Sequence, residues 1–77
     1  MSQYHLEVMV YKGNSPASGY KVSACGTGLF SGFTKDARTD ANGRAVIMTE
    51  RQEMYSIYVD GSKRGEYRSP GQAIIYL

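Results

Sequence analysis

The chain has one cysteine, Cys25, and one histidine, His5, among its 77 residues. A single cysteine permits no internal disulfide, which agrees with a reducing compartment. No run approaches the roughly 18 apolar residues of a membrane-spanning helix. The opening MSQYHLEVMVYKG has no basic start, apolar middle and small-residue cleavage site, so it does not read as a signal peptide. These absences lead to the expectation of a cytoplasmic chain with no membrane span. There is also no concentrated basic block: nine Lys and Arg against seven Asp and Glu give a net charge of +2. That is too little to direct the chain to nucleic acid by bulk electrostatics. Finally, no segment of helical length carries an apolar stripe of period 3.6.

What is present is alternation. Hydrophobic residues make up 42% and charged residues 21% of the chain, a balance that supports a folded module rather than a disordered one. At this length one domain is expected, residues 1–77, with a thin core, because so short a chain buries only about 60% of its unfolded surface. Leu6, Val8 and Val10 alternate with His5, Glu7, Met9 and Tyr11, the pattern of a half-buried strand. Tyr20, Val22 and Ala24 then alternate with Lys21, Ser23 and Cys25. Further strands are predicted over Phe33–Thr39, Arg44–Thr49, Met54–Asp60, Glu66–Arg68 and Gln72–Leu77, with Tyr55, Ile57 and Val59 facing inward. The Gly-rich GTGLFSGF reads as a loop with Leu29 and Phe30 beneath it, and Thr49–Met54 as another loop. About seven short strands separated by turn signals specify an all-β chain: a single antiparallel β-sandwich or small barrel.

The segment DARTDANGRA, residues 36–45, admits two readings. As a fragment of a calcium loop it fails in both registers. Counting from Asp40 puts Ala45 at the position that needs glycine and Arg51 where the bidentate glutamate belongs; counting from Asp36 puts Ala41 and Ile47 there. Arg38 and Arg44 would also set positive charge beside the ion. As a turn it is consistent throughout: Asp40 accepts backbone N–H groups, Asn42 tolerates a left-handed conformation, and Gly43 supplies positive φ. No metal and no cofactor is expected, and Gly43→Ala should destabilise the fold without any calcium dependence.

The ordered set Val8-x-Val10, Ser15-Pro-Ala-Ser-Gly19, Val22, Arg38-Thr-Asp-Ala-Asn-Gly-Arg-Ala45 and Tyr55-x-Ile57-x-Val59-Asp-Gly61 resembles the bacterial immunoglobulin-like domains. It is equally similar to the transthyretin-like, or carboxypeptidase-regulatory-like, β-sandwiches. The resemblance covers roughly residues 6 to 61. It implies an immunoglobulin-like or transthyretin-like scaffold, used as a spacer, adhesion or binding unit, and it implies no activity. The enzymatic branch with 5-hydroxyisourate hydrolase activity is matched only by His5, Pro16-Ala17 and Gly43-Arg44. That branch needs a second histidine and a Tyr-Arg-Gly-Ser tail, whereas this chain has one histidine and ends Ile-Ile-Tyr-Leu.

Catalysis requires a nucleophile beside a base, or paired carboxylates held in a cleft. Only His5 and Cys25 offer such a pair. Each falls on the outward face of its strand, and a lone cysteine is most often a packing residue. The chain therefore reads as non-catalytic. Two surfaces remain as candidates. Lys63, Arg64 and Arg68 surround Tyr67 in a predicted hairpin, where cations meet phosphates and the tyrosine stacks on a base, the second reading after protein binding. Met9, Tyr11, Met48, Tyr58 and Tyr76 alternate opposite the core positions. If their strands neighbour one another they form a Tyr/Met face suited to a partner protein or to a homodimer.

Overall fold

The computed structural model describes residues 3–26 and 36–77. Its centre is β1 (Tyr4–Lys12), nine residues whose Leu6, Val8 and Val10 are fully buried while His5, Glu7, Met9 and Tyr11 point the other way. One edge of β1 pairs antiparallel with β5 (Arg44–Thr49) and, further along, with the two-residue β2 (Ser15–Pro16). The opposite edge pairs with β8 (Gly71–Tyr76). These four strands form the first sheet. The second sheet runs β4 (Ala37–Arg38), β3 (Lys21–Gly26), β6 (Met54–Val59), β7 (Ser62–Arg68).

The two sheets pack as a small all-β sandwich. The inward positions of both supply one core: Leu6, Val8, Val10, Ala45, Ile47, Ala73 and Ile75 from the first sheet, with Val22, Ala24, Tyr55, Ile57 and Val59 from the second. Period-two alternation is the cause, since each strand gives one face to the core and the other to solvent. Burial of Tyr55 pushes its phenol pKa up. No helix among the described residues is long and apolar enough to cross a membrane.

Among the described residues, every ladder is antiparallel except β1–β8, which is parallel from Leu6 opposite Gly71 to Tyr11 opposite Tyr76. The antiparallel sandwich read from the sequence is found, with this one parallel ladder within it. Parallel pairing needs a connection that leaves the sheet and returns, and here β6 and β7 of the second sheet lie between β5 and β8. The turn through the cis Ser69–Pro70 peptide then carries the chain back to the first sheet. A buried hydroxyl pair, Thr49 Oγ1 and Ser69 Oγ 2.6 Å apart, ties the end of β5 to that turn.

The remaining expectations divide by how local they are. Arg44–Thr49 is a strand as read, and Met54–Asp60 shortens by one residue to Met54–Val59. Asp60 and Gly61 have φ of 50° and 86°, the two left-handed residues of a type I′ hairpin. The predicted Glu66–Arg68 is only the end of a longer strand beginning at Ser62, because a bulge at Ile57/Tyr58 and Gly65 at φ 141° interrupt the alternation. Of the strand read over Phe33–Thr39, Ala37–Arg38 is β4 and residues 33–35 lie outside the described residues. The GTGLFSGF loop lies outside them too, except Gly26, which closes β3.

Candidate interaction face

The turn at Asp40–Gly43 links β4 of the second sheet to β5 of the first. Asp40 Oδ1 accepts the Asn42 N–H at 2.8 Å and the Arg44 N–H at 3.0 Å, and the Asp40 carbonyl accepts the Gly43 N–H at 2.9 Å. The Gly43 carbonyl in turn accepts the Val10 N–H at 2.8 Å. Those donors, Arg44 first and then Asn42, hold the Asp40 carboxyl below its ordinary range. Asp40 and Gly43, which has φ of 74°, thus act as the turn reading assigns, whereas Asn42 does not take the left-handed conformation read for it. Among the described residues no cluster of three or more His, Cys, Asp or Glu side chains is arranged to hold a metal ion.

The outward face of the first sheet is built in four cross-strand rows. Met48 lies opposite His5; Val46 and Gln72 flank Glu7; Arg44 and Ile74 flank Met9; Pro16 and Tyr76 flank Tyr11. Tyr76 is 70% exposed, Ile74 45% and Met48 44%, well above what an edge of the core would show. Tyr11 and Tyr76 stack with ring centroids 5.5 Å apart and planes at 22°, an offset arrangement favoured by the ring quadrupoles. Met9, Tyr11 and Val46 are half-buried beside them.

Glu7, in the middle strand, is the acidic group of this face. Its Oε2 accepts a hydrogen bond from Arg44 Nε on β5, and its Oε1 accepts one from Gln72 Nε2 on β8 at 2.7 Å. The Arg44 bond, then its charge and the Gln72 bond, outweigh partial desolvation and lower the Glu7 pKa. One carboxylate is thus engaged from both neighbouring strands, so the charge within the apolar surface is neutralised where it stands.

Sequence reasoning named Met9, Tyr11, Met48 and Tyr76, and the sheet brings these four together. It does not bring Tyr58. That residue sits on β6, which pairs with β3 and β7 in the other sheet, so its outward side faces the opposite surface of the sandwich. Sequence reasoning passed over Ile74 and Val46. The signal for Ile74 was present in Ala73-Ile74-Ile75-Tyr76: with Ala73 and Ile75 inward, the same alternation sends Ile74 out beside Tyr76.

The basic hairpin is also rearranged. Tyr67 lies opposite Tyr55 on the inward side of β7, packs against the core, and donates its hydroxyl to the Ile74 carbonyl at 3.3 Å. It offers no outward ring for a base to stack on. Lys63 is paired with Glu66 at 3.1 Å, while Arg64 and Arg68 stay exposed. Tyr67 therefore gives the hairpin no stacking platform of the kind single-strand binding uses; the outward aromatic beside these charges is Tyr58, opposite Lys63. His5 and Cys25 are likewise separated, on the outward sides of β1 and β3 in different sheets.

Comparison with protein-family models and with curated proteins finds no match.

The two depressed carboxyls set an acid response. Both folded pKa values lie below their ordinary values of 4.5 for Glu7 and 3.8 for Asp40. Their contribution is therefore present above those values and is lost as pH falls through the folded ones. The urea midpoint is expected to fall between neutral pH and about pH 3. Asp40→Asn keeps the acceptor oxygen without the charge, and with Glu7→Gln it should flatten that dependence. An undiminished acid response in the double variant would assign it to other carboxylates.

Proposed function

We propose that this chain is a non-catalytic protein-interaction module that uses the outward face of its first sheet to associate with a second copy of itself. The observation that carries the proposal is contiguity. Met9, Tyr11, Val46, Met48, Ile74 and Tyr76 lie on three hydrogen-bonded strands, around a carboxylate already matched by Arg44 and Gln72. Tyr and Met are enriched at protein interfaces, and charges at their centres are depleted. The two-sheet fold is also in keeping with the immunoglobulin-like and transthyretin-like resemblance, whose members serve as scaffolds.

Size limits the affinity. Three strands about 4.8 Å apart and six residues at about 3.3 Å each give a face of roughly 14 by 20 Å, near 300 Å² in projection. That is the scale of functional surface patches, but it is well under the roughly 800 Å² per partner of a standard interface. Association through this face is weak and concentration-dependent.

Sedimentation velocity over a wide concentration range is the test. The expected result is reversible self-association that Tyr76→Ser and Ile74→Ser each reduce. Ile74 is exposed, so Ile74→Ser should alter stability by no more than about 0.5 kcal/mol, while Tyr76→Ser also removes the stack on Tyr11 and should cost about 0.5 to 1.5 kcal/mol. Tyr58→Ala, on the other sheet, should leave association unchanged. A chain that stays monomeric throughout, or one whose association responds to Tyr58 and not to Tyr76, would remove the proposal.

A further inference from the structure

We infer that the β1–β8 ladder is a mechanical clamp: tension applied along the strands, between the Tyr4 end of β1 and the Tyr76 end of β8, is resisted by the whole ladder together. The inference rests on backbone register and does not require the outward face to bind a partner. β1 and β8 run parallel, paired from Leu6 and Gly71 to Tyr11 and Tyr76, and the Leu77 N–H adds a bond to the Tyr11 carbonyl at 2.7 Å. Because they run parallel, the first residue of β1 and the last residue of β8 lie at opposite ends of the ladder. Pulling on those two points slides one strand past the other. The evenly spaced bonds of a parallel ladder then lie across the force and share it, whereas a ladder pulled apart from one end breaks one bond at a time.

The side chains deny the ladder an easy slip. Ala73 and Ile75 of β8 are buried in the core beside Leu6, Val8 and Val10, none of which is exposed. A slide of one residue would turn Ala73 and Ile75 outward and Ile74 and Tyr76 inward, since strand faces alternate with period two. The Glu7–Gln72 hydrogen bond and the Tyr11–Tyr76 stack join the same two strands near either end of the ladder. From the far side, the Tyr67 hydroxyl fastens the Ile74 carbonyl of β8 to the second sheet. Forced unfolding is governed by the rate of crossing the unfolding barrier, and these contacts must all be lost before the strands part.

The test is single-molecule stretching of the whole chain in a Cys25→Ser background, with handles attached in two geometries. Handles at the two chain ends load the ladder in shear. Handles at Lys12 and Leu77 grip the two strands at the same end, where the Leu77–Tyr11 bond sets them side by side, and so peel the ladder open. Only the attachment points differ between the two measurements, and the buried residues of the ladder are the same in both. The expected result is a single cooperative rupture at a force several-fold higher in the end-to-end geometry. Equal forces in the two geometries, or a lower force end to end, would overturn the inference.

Discussion

Gly43→Ala is expected to lower stability by about 3 kcal/mol, through two additive causes. Gly43 has φ of +74°, a left-handed conformation that costs an alanine about 1 to 2 kcal/mol. Its position adds a collision: a Cβ there would stand 2.5 Å from the Val10 carbonyl oxygen and 3.1 Å from both the Ala17 nitrogen and Pro16 Cβ. None of the three is a flexible side-chain tip. The Val10 carbonyl already accepts the Ala17 N–H at 2.8 Å, so moving it disturbs the packing of β1, at roughly the 1 to 3 kcal/mol of an overpacked core. Gly61→Ala is the matched control, because Gly61 has φ of +86° with nothing within 4 Å of its added Cβ. That change should cost about 1 kcal/mol. Urea titrations of both variants, with and without calcium, check the assignment. Equal losses at the two glycines would show that the contact at Gly43 relaxes freely, and a calcium-dependent rescue would return the turn to the class of ion sites.

The same turn shows what was legible in the sequence and what was not. Most local signals read correctly. Asp40 and Gly43 state a turn through hydrogen-bonding capacity and φ, although Asn42, read as suited to a left-handed conformation, does not adopt one; Leu6, Val8 and Val10 state a strand through alternation, because both properties belong to neighbouring residues. Which strand lies beside which is a property of distant residues, and the alternation in Met54–Val59 is the same whether the strand joins β1 or β3. Tyr58 was therefore placed on the wrong surface, although its outward direction was right. Tyr67 illustrates a second limit: the bulge at Ile57/Tyr58 shifts the β6–β7 register, so an aromatic that reads as a hairpin platform becomes a core-side residue. Gly65 was the available signal, as an isolated glycine within a strand often marks a bulge.

The sheet assignment also explains why the first sheet, and not the second, carries the candidate surface. The outward side of the second sheet sets Tyr58 and the exposed Met54 among Lys21, Arg38, Lys63, Glu66 and Arg68, charges that resist desolvation. The outward side of the first meets its central carboxylate with Arg44 and Gln72, so less polar surface is left to strip of water. Neither property follows from net charge, which is the same +2 however the strands are sorted.

Ile57→Ala is expected to be the most damaging single truncation in the second sheet, costing about 4 kcal/mol, near the upper end for a buried isoleucine. Ile57 is completely buried, and its row across the sheet is Ala24 on β3 and Gly65 on β7. It is the one bulky side chain in that row. The cost of a cavity depends on how far neighbours can collapse into it, and here the flanking positions are a methyl group and a hydrogen. The row above pairs Val22 with Val59 and the row below pairs Tyr55 with Tyr67, so each of those has a large neighbour to share a loss. Ile57→Val, which removes a single methylene, should cost only about 1 kcal/mol. A domain of this length has a total stability of roughly 4 to 12 kcal/mol, so the alanine variant should be substantially unfolded at the lower bound and show a much reduced urea midpoint at the upper. If it instead costs no more than Ile57→Val, the row has collapsed despite its small neighbours, and the two sheets approach each other more freely than a core filled from both sides allows.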